Sequence, residues 1–368
     1  MRILLISGIY PPDIGGPAKF IPELAEFLLE SGNKVEVITL KDNNSQILTG
    51  KFPVHFVKRQ QLLFKRLLKT TLLITWKSRS FDVIFANGLI EETAVSLFFT
   101  RKPGVVKIVS DPVWERAKNK SLTKDSREVF NQNKSRLDVS VHKKLFIWSL
   151  SQFKTITCPS SELVELVNLW NPKLNVVKIE NGVDSVPKYT QTKEFDVIAV
   201  SRLIKIKNID KLIKACKKSN SSLIIAGSGP EEKNLKTLAL SLEANVRFLG
   251  HLDNHEVINY LKKTRIFAQL SDYEGLSFSL LQAMTCGLPS IVSNVRGNTD
   301  VITNEINGLV VEANDVEMIS KLIKYLLASP EKINFLGDNA RNLARERYSN
   351  TEKLSQLQST LVDAISYE

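Results

Sequence analysis

The residues best equipped for chemistry gather in the second half of this 368-residue chain, each just past a short apolar run. Glu274 follows the run 266–271 and precedes Gly275, a residue that lets backbone approach a ligand closely. Phe278, Leu281 and Met284 then recur at helical spacing until Gly287 supplies a stop, so Glu274 sits in the loop of a strand-loop-helix unit. Gln282 lies on that helix with seven residues between it and Glu274. The intervening helical stretch spans about 9 Å. Arg202 and, five residues on, Lys207 follow the run 196–201. A guanidinium there can grip a phosphate bidentately, and an ammonium acts as a point charge. The helix start at Leu276, Ser277 and Phe278 brings unpaired amides and a positive dipole end, so the set as a whole is suited to an anion.

Stepping outward, the elements that must carry these residues alternate. Strands at 196–201, 223–226, 246–249, 266–270 and 289–292 are separated by helices at 209–218, 231–242, 256–263 and 278–284, which predicts a parallel doubly wound sheet. Its carboxyl edge would hold Arg202 and Lys207, the turn Gly227-Ser228-Gly229-Pro230, Glu274, and Asn294-Val295-Arg296-Gly297-Asn298. Helices near 316–327, 331–345 and 351–365 end the chain.

The first half alternates too, with strands at 2–7, 34–39, 54–58, 82–88, 107–109, 155–159 and 176–179. The loop 10–17 holds Gly15 and Gly16 but lacks the G-x-G-x-x-G order of a dinucleotide site. Asp111 stands before Pro112 at the end of the 107–109 run, where it either caps the following helix or serves as a catalytic carboxylate. Residues 119–134 read as a loop. The stretch 60–77 places leucines 63, 67 and 68 among Lys65, Arg66, Lys69 and Lys77, a basic amphipathic helix that either packs on the sheet or lies in a membrane interface. The helix at 141–150 could join such a surface.

Length suits two domains with cores of their own. No apolar run reaches the length of a spanning helix, and the chain opens straight into a strand, not a leader. Cys158, Cys216 and Cys286 are scattered without metal-ligand spacing and read as buried thiols of a reducing compartment. Residues 1–185 carry 27 Lys+Arg against 18 Asp+Glu, whereas 186–368 carry 23 against 21. A basic first half points to an anionic surface or substrate, and without an RNA-module signature nucleic acid is not the expected partner.

The segment from Glu274 to Gly287 resembles the donor-binding signature of retaining nucleotide-sugar glycosyltransferases of family 4, in which a second Glu stands where this chain has Gln282. The resemblance implies that Glu274 contacts hydroxyls of the transferred sugar and that the helix start at Leu276, Ser277 and Phe278 holds the diphosphate. Gln282 would meet the ribose hydroxyls, more weakly than a carboxylate. Gly16 and Gly229 would lie against the donor, and Arg202 and Lys207 would neutralise the departing phosphate. Asp111 falls in Asp-Pro-Val-Trp-Glu-Arg, which is similar to a variant pattern of the family and adds it to the catalytic set of Arg202, Lys207 and Glu274. The implied architecture is α/β GT-B, two Rossmann-like doubly wound domains facing a central cleft. An acceptor-side domain at 1–184 would be joined by a final helix at 350–368 crossing back, with a donor domain at 185–349 and residues 185–193 as linker.

The implied activity is retaining transfer from a nucleoside-diphosphate sugar, such as a UDP- or GDP-sugar, to a lipid-linked or glycan acceptor in cell-envelope polysaccharide synthesis. Protein cations take the place of a metal, and no further cofactor is expected. The expected location is cytoplasmic and peripheral on the inner membrane face, with contact through 60–77. A nucleotide-sugar epimerase and a donor-binding pseudoenzyme are the alternatives.

Overall fold

The computed structural model describes residues 1–13, 15–42, 51–119, 122–123, 127–132, 137–189 and 192–366. Contacts divide the chain into two units, Met1–Ile179 with Leu354–Glu368, and Glu180–Lys353.

The first unit runs β1 (Arg2–Ser7), α1 (Gly16–Glu30), β2 (Lys34–Lys41), β3 (Val54–Lys58), α2 (Leu63–Ser78), β4 (Val83–Asn87) and α3 (Ile90–Thr100). It continues through β5 (Gly104–Lys107), α4 (Pro112–Asn119), α5 (Arg127–Gln132), α6 (Leu137–Leu150), β6 (Thr155–Cys158), α7 (Ser161–Trp170) and β7 (Val176–Lys178). Its seven strands are ordered β3-β2-β1-β4-β5-β6-β7, with every pairing parallel. Helices on both faces of such a sheet demand continuous apolar strands, and Ile3, Leu4, Leu5 and Ile6 of β1 are all fully buried.

The expected strand at 107–109 lies three residues earlier, because Val105 and Val106 supply the buried run and Lys107 ends it. Part of the expected 119–134 loop falls outside the described residues, and within it 127–132 is α5.

The second unit runs β8 (Phe195–Val200), α8 (Ile209–Ser219), β9 (Leu223–Ala226), α9 (Glu232–Ser241), β10 (Val246–Gly250), α10 (Asn254–Lys262), β11 (Thr264–Gln269) and α11 (Phe278–Thr285). Then come β12 (Ser290–Ser293), α12 (Arg296–Thr299), β13 (Leu309–Val311), α13 (Val316–Ala328), α14 (Pro330–Arg347) and α15 (Asn350–Ser366). The sheet order is β10-β9-β8-β11-β12-β13, again all parallel. Alternation along β8 sends Val197 and Ala199 into one apolar cluster and Ile198 into the other, so the sheet is covered on both faces. Fully burying a valine or isoleucine in this way contributes about 1.5–3 kcal/mol.

Helix α15 starts among the residues of the second unit and is grouped with the first from Leu354 onward. The segment 180–184, read from sequence as the end of the first domain, is bonded into the second unit. Val183 N–H donates to Tyr348 O at 2.8 Å, and Glu180 pairs with Arg347 and Lys353. Residues expected as linker are likewise tied down: Tyr189 donates to Cys286 O at 2.9 Å, and Lys193 Nζ donates to Lys262 O and Thr264 O, each at 2.9 Å.

Candidate active site

In the second unit the strand order reverses between β8 and β11, and loops at the carboxyl ends of those two strands form the crevice where open α/β sheets bind ligands. The loop after β8 carries Arg202 and Lys207; the loop after β11 carries Glu274. The two loops meet. Lys207 Nζ donates to Glu274 Oε1 at 2.5 Å, and Ser271 Oγ donates to the same oxygen at 2.5 Å. Both members of the ion pair are largely buried, so solvent screens the pair far less than it would on an open surface. Arg202, by contrast, is exposed.

Each loop is fixed by a reason local to its sequence. Lys207 ends a 3-10 turn, Lys205–Lys207, that stops at Asn208 in the left-handed region with φ 52°. Asn208 then donates to Leu270 O at 2.8 Å and Asp272 Oδ1 at 2.6 Å, while Asp272 N–H donates to Ile206 O at 2.8 Å. These bonds hold the lysine loop against the glutamate loop.

The Gly227-Ser228-Gly229 turn works from the other side. A Cβ on Gly229 would come 2.4 Å from Leu203 O, and one on Gly227 would come 1.9 Å from Ser201 O. Leu203 N–H donates to Ser228 O at 2.9 Å. Both glycines therefore let the turn lie flat on the backbone that carries Arg202. For Gly229 this is a positioning role that the reading of a direct donor contact did not include.

A buried polar network supports the glutamate loop from beneath. Ser293 Oγ donates to Ser271 O at 2.6 Å, and Asn298 Nδ2 donates to Ser293 O at 3.1 Å. Asn298 Oδ1 accepts from Gln269 at 2.7 Å, and Ser277 Oγ donates to Gln269 Oε1 at 2.7 Å. Ser277 also caps α11 by accepting from Leu280 N–H at 3.3 Å, which sets the positive end of that helix beside Glu274. A Cβ on Gly297 would come 2.0 Å from Glu274 O, so α12 can approach only as glycine. Asn181 donates to Leu276 O at 2.8 Å. Sequence reasoning placed Asn298 at the carboxyl edge without a role, and missed Ser271, Gln269, Ser293 and Asn208. Their only signal was polarity at the ends of apolar strands, where buried polar groups must find partners.

Gln282 is 8% exposed on α11, and its Nε2 donates to Asn254 Oδ1 at the start of α10. That bond orients the amide and leaves Oε1, an acceptor like a carboxylate oxygen, as the free end. A cavity of about 310 Å³ opens beside the lysine loop, lined by Ile204, Lys205, Asp210, Glu231, Asn234 and Leu238 among others. Its two carboxylates make it a poor seat for a diphosphate, and it includes neither Glu274 nor Gln282.

Gly16 and Asp111 belong to the first unit. Gly16 is the first residue of α1, and the strained position is its neighbour Gly15, with φ 152° and a Cβ site 2.7 Å from Ile9 Cδ1. Asp111 is fully buried. Its Oδ1 accepts from Val113 N–H at 3.1 Å and Trp114 N–H at 2.9 Å, and its Oδ2 accepts from Asn131 Nδ2 at 2.8 Å. Of the two roles open to it from sequence, the bonds to Oδ1 describe the helix cap, while Oδ2 is tied to Asn131 of α5.

Known proteins resemble this chain over part or all of its length. Over 153 residues the chain is 37% identical to a GDP-mannose-dependent monoacylated α-(1-6)-phosphatidylinositol monomannoside mannosyltransferase of Corynebacterium glutamicum, covering 38% of this chain and 40% of the relative. It is 29% identical to a glycosyltransferase of Haemophilus influenzae, of which it covers 63%. The chain thus spans less than two thirds of the length of both relatives. A glycosyltransferase of Methanocaldococcus jannaschii is 25% identical over 95% of each chain.

Among solved structures, sucrose-phosphate synthase from Thermosynechococcus elongatus superposes with a TM-score of 0.82 at 18% identity over 100% of both chains. Anabaena HepE in complex with UDP and glucose gives 0.80 at 19% identity, over 99% of this chain and 100% of that one. These likenesses give the fold, the GT-B pairing of two Rossmann-like units. Residues 184–343, nearly the whole second unit and the part that holds Arg202, Lys207, Glu274 and Gln282, match the family model for glycosyl transferases group 1.

Proposed function

We propose that the protein is a retaining glycosyltransferase that moves a sugar from a nucleoside-diphosphate sugar to a lipid-linked or glycan acceptor in cell-envelope polysaccharide synthesis. The observation that carries this reading is the Lys207–Glu274 pair at the switch point between β8 and β11. A sugar leaving a nucleoside diphosphate passes through an oxocarbenium-like state, and negative charge develops on the departing phosphate. Lys207 and Arg202 offset that charge as preorganised cations, helped by the start of α11, so the reaction as proposed requires no metal. Glu274 holds Lys207 in place before the donor arrives and accepts from sugar hydroxyls once it is bound. The oriented Oε1 of Gln282 accepts from the ribose.

Support for the donor class comes from a relative named as GDP-mannose-dependent and from a structural neighbour holding UDP and glucose. Support for the acceptor class comes from relatives named for phosphatidylinositol monomannoside and for a diphosphoundecaprenol-linked sugar. On this reading the first unit is the acceptor side.

The test is a panel of UDP- and GDP-sugars offered with polyprenyl-diphosphate sugars as acceptors, with the product anomer read by NMR. Transfer with the donor's anomeric configuration kept is the expected result. Lys207→Ala or Arg202→Ala should lower turnover by on the order of 10²–10³ without loss of folding. Inversion at the anomeric carbon, or near-normal turnover in either variant, would overturn the assignment.

A further inference from the structure

Helix α2 turns most of its large apolar residues outward. Its buried face is Thr70, Ile74 and Ser78, and Leu67 is half-buried. Lys77 is committed inward to Glu36 at 2.8 Å. Outward, Phe64, Leu68, Leu72 and Trp76 recur every four residues along one stripe, at 78%, 50%, 59% and 64% exposure. Lys65 and Lys69 are exposed beside it.

The stripe does not stand alone. α2 packs on α3, and α3 on α6. Phe98 and Phe99 of α3 are exposed and in edge contact at 5.4 Å between ring centroids, and Phe98 lies 6.3 Å from the ring of Trp148 on α6. Ten of the 22 large apolar side chains exposed among the described residues sit on these three helices. Isolated exposed apolar residues are ordinary, but a concentration of this kind marks a docking surface.

We propose that this three-helix face of the first unit docks on an anionic lipid bilayer, with its aromatic and leucine side chains in the headgroup-acyl boundary and Lys65 and Lys69 on lipid phosphates. The charge pattern selects that occupant. α2 carries four cations and no carboxylate, and its two outward lysines interleave with the apolar stripe. A two-fold contact with a second copy would set Lys65 and Lys69 against their own kind, and the cores of protein interfaces are depleted of lysine. Aromatic rings and snorkelling lysines on one helical face instead suit a membrane surface.

The proposal deepens the lipid-linked acceptor of the proposed function and depends on that reading only for its consequence. Vesicle binding is measured without donor or acceptor, so a negative result here would leave sugar transfer untouched.

Co-sedimentation with vesicles of phosphatidylcholine, alone or mixed with phosphatidylglycerol, tests it. The wild-type protein should bind the mixed vesicles far better, with a blue shift of tryptophan emission, because Trp76 and Trp148 are exposed while Trp114 and Trp170 are buried. Lys65→Gln with Lys69→Gln should weaken binding to the mixed vesicles about 30-fold. Leu68→Ser with Leu72→Ser should weaken it by at least about tenfold, and since both positions are exposed the unfolding transition should not move. Quenching of wild-type emission by brominated phosphatidylcholine in mixed vesicles gives a readout that needs no variant. Equal binding to both vesicle types, absence of quenching, or wild-type binding by the leucine variant would overturn the proposal. So would a concentration-dependent dimer that the leucine variant abolishes, which would assign the face to a second copy.

Discussion

The two units share a plan and spend their polar residues differently. Each is a parallel sheet whose strand order reverses once, at β1/β4 in the first and β8/β11 in the second. At the second unit's reversal the loops meet through charged and hydroxyl side chains: Lys207, Glu274 and Ser271, backed by Asn298 and Gln269. At the first unit's reversal they meet through backbone. A Cβ on Gly88, after β4, would come 2.7 Å from the nitrogen of Gly8, after β1. The neighbouring loop is braced from outside by Arg59, which bonds Asp13, Asp42 and Gly8 O. The first unit instead places its distinctive chemistry on helices, as an exposed apolar face, and under the sheet, as a buried lysine. Reversal of strand order therefore does not by itself fix what the two loops bring together: side chains in the second unit, backbone in the first.

The sharpest contrast between the units is that buried lysine. Lys107 ends β5, is almost wholly buried, and lies 3.8 Å from the centroid of the Phe20 ring. Burial pulls its ammonium down from the usual lysine range to about 7, against a small opposing pull from Cys158, whose thiol burial pushes up to about 12. The folded state thus holds fewer protons than the unfolded chain between about pH 7 and pH 10.5, so stability rises with pH across that window and is lost as pH falls through it. Lys107→Met should remove this rise and stabilise the first unit near pH 7 by on the order of several kcal/mol. All four tryptophans, Trp76, Trp114, Trp148 and Trp170, precede residue 180, so urea titrations followed by tryptophan emission read the first unit alone. Parallel pH profiles for the wild type and the variant would mean that Lys107 stays charged through some partner of its own.

A smaller effect sharpens the other side of the comparison. If Asn254 orients Gln282 so that Oε1 meets the ribose, Asn254→Ala should weaken nucleoside-diphosphate binding a few fold, and Gln282→Glu should tighten it by about as much. Neither change should alter which sugar is transferred. Calorimetric titration with nucleoside diphosphates, and separately with their sugar conjugates, measures both. An unchanged affinity in both variants would place Gln282 away from the nucleoside.

What could be read in the sequence follows the same division. The second unit's strands, its Arg202–Lys207 spacing and the Glu274 loop were legible because apolar period and loop chemistry sit close together along the chain. The supporting network was not, since the pairing of Asn298 with Gln269 or of Asn208 with Asp272 joins residues far apart in sequence. In the first unit β5 was misplaced by three residues because Ile108 and Val109 extend the apolar run past the last paired position. The orientation of α2 was left open because its leucines and threonines alternate around the whole helix. The buried side carries Thr70, Ile74 and Ser78, of which Ile74 alone is a large apolar residue, while Phe64, Leu68, Leu72 and Trp76 are exposed. Asp111 was ambiguous for the converse reason, since capping and catalysis ask for the same residue before the same proline.

The central claim, that the loops after β8 and β11 seat a nucleoside diphosphate, is tested most directly by titrating UDP and GDP into the wild type and into Lys207→Ala by calorimetry. The account predicts saturable one-to-one binding of at least one of the two and a loss of affinity of at least about tenfold in the variant, as removal of a partly buried charge partner from a phosphate entails. No binding of either nucleotide, or equal affinity in the two proteins, would contradict it.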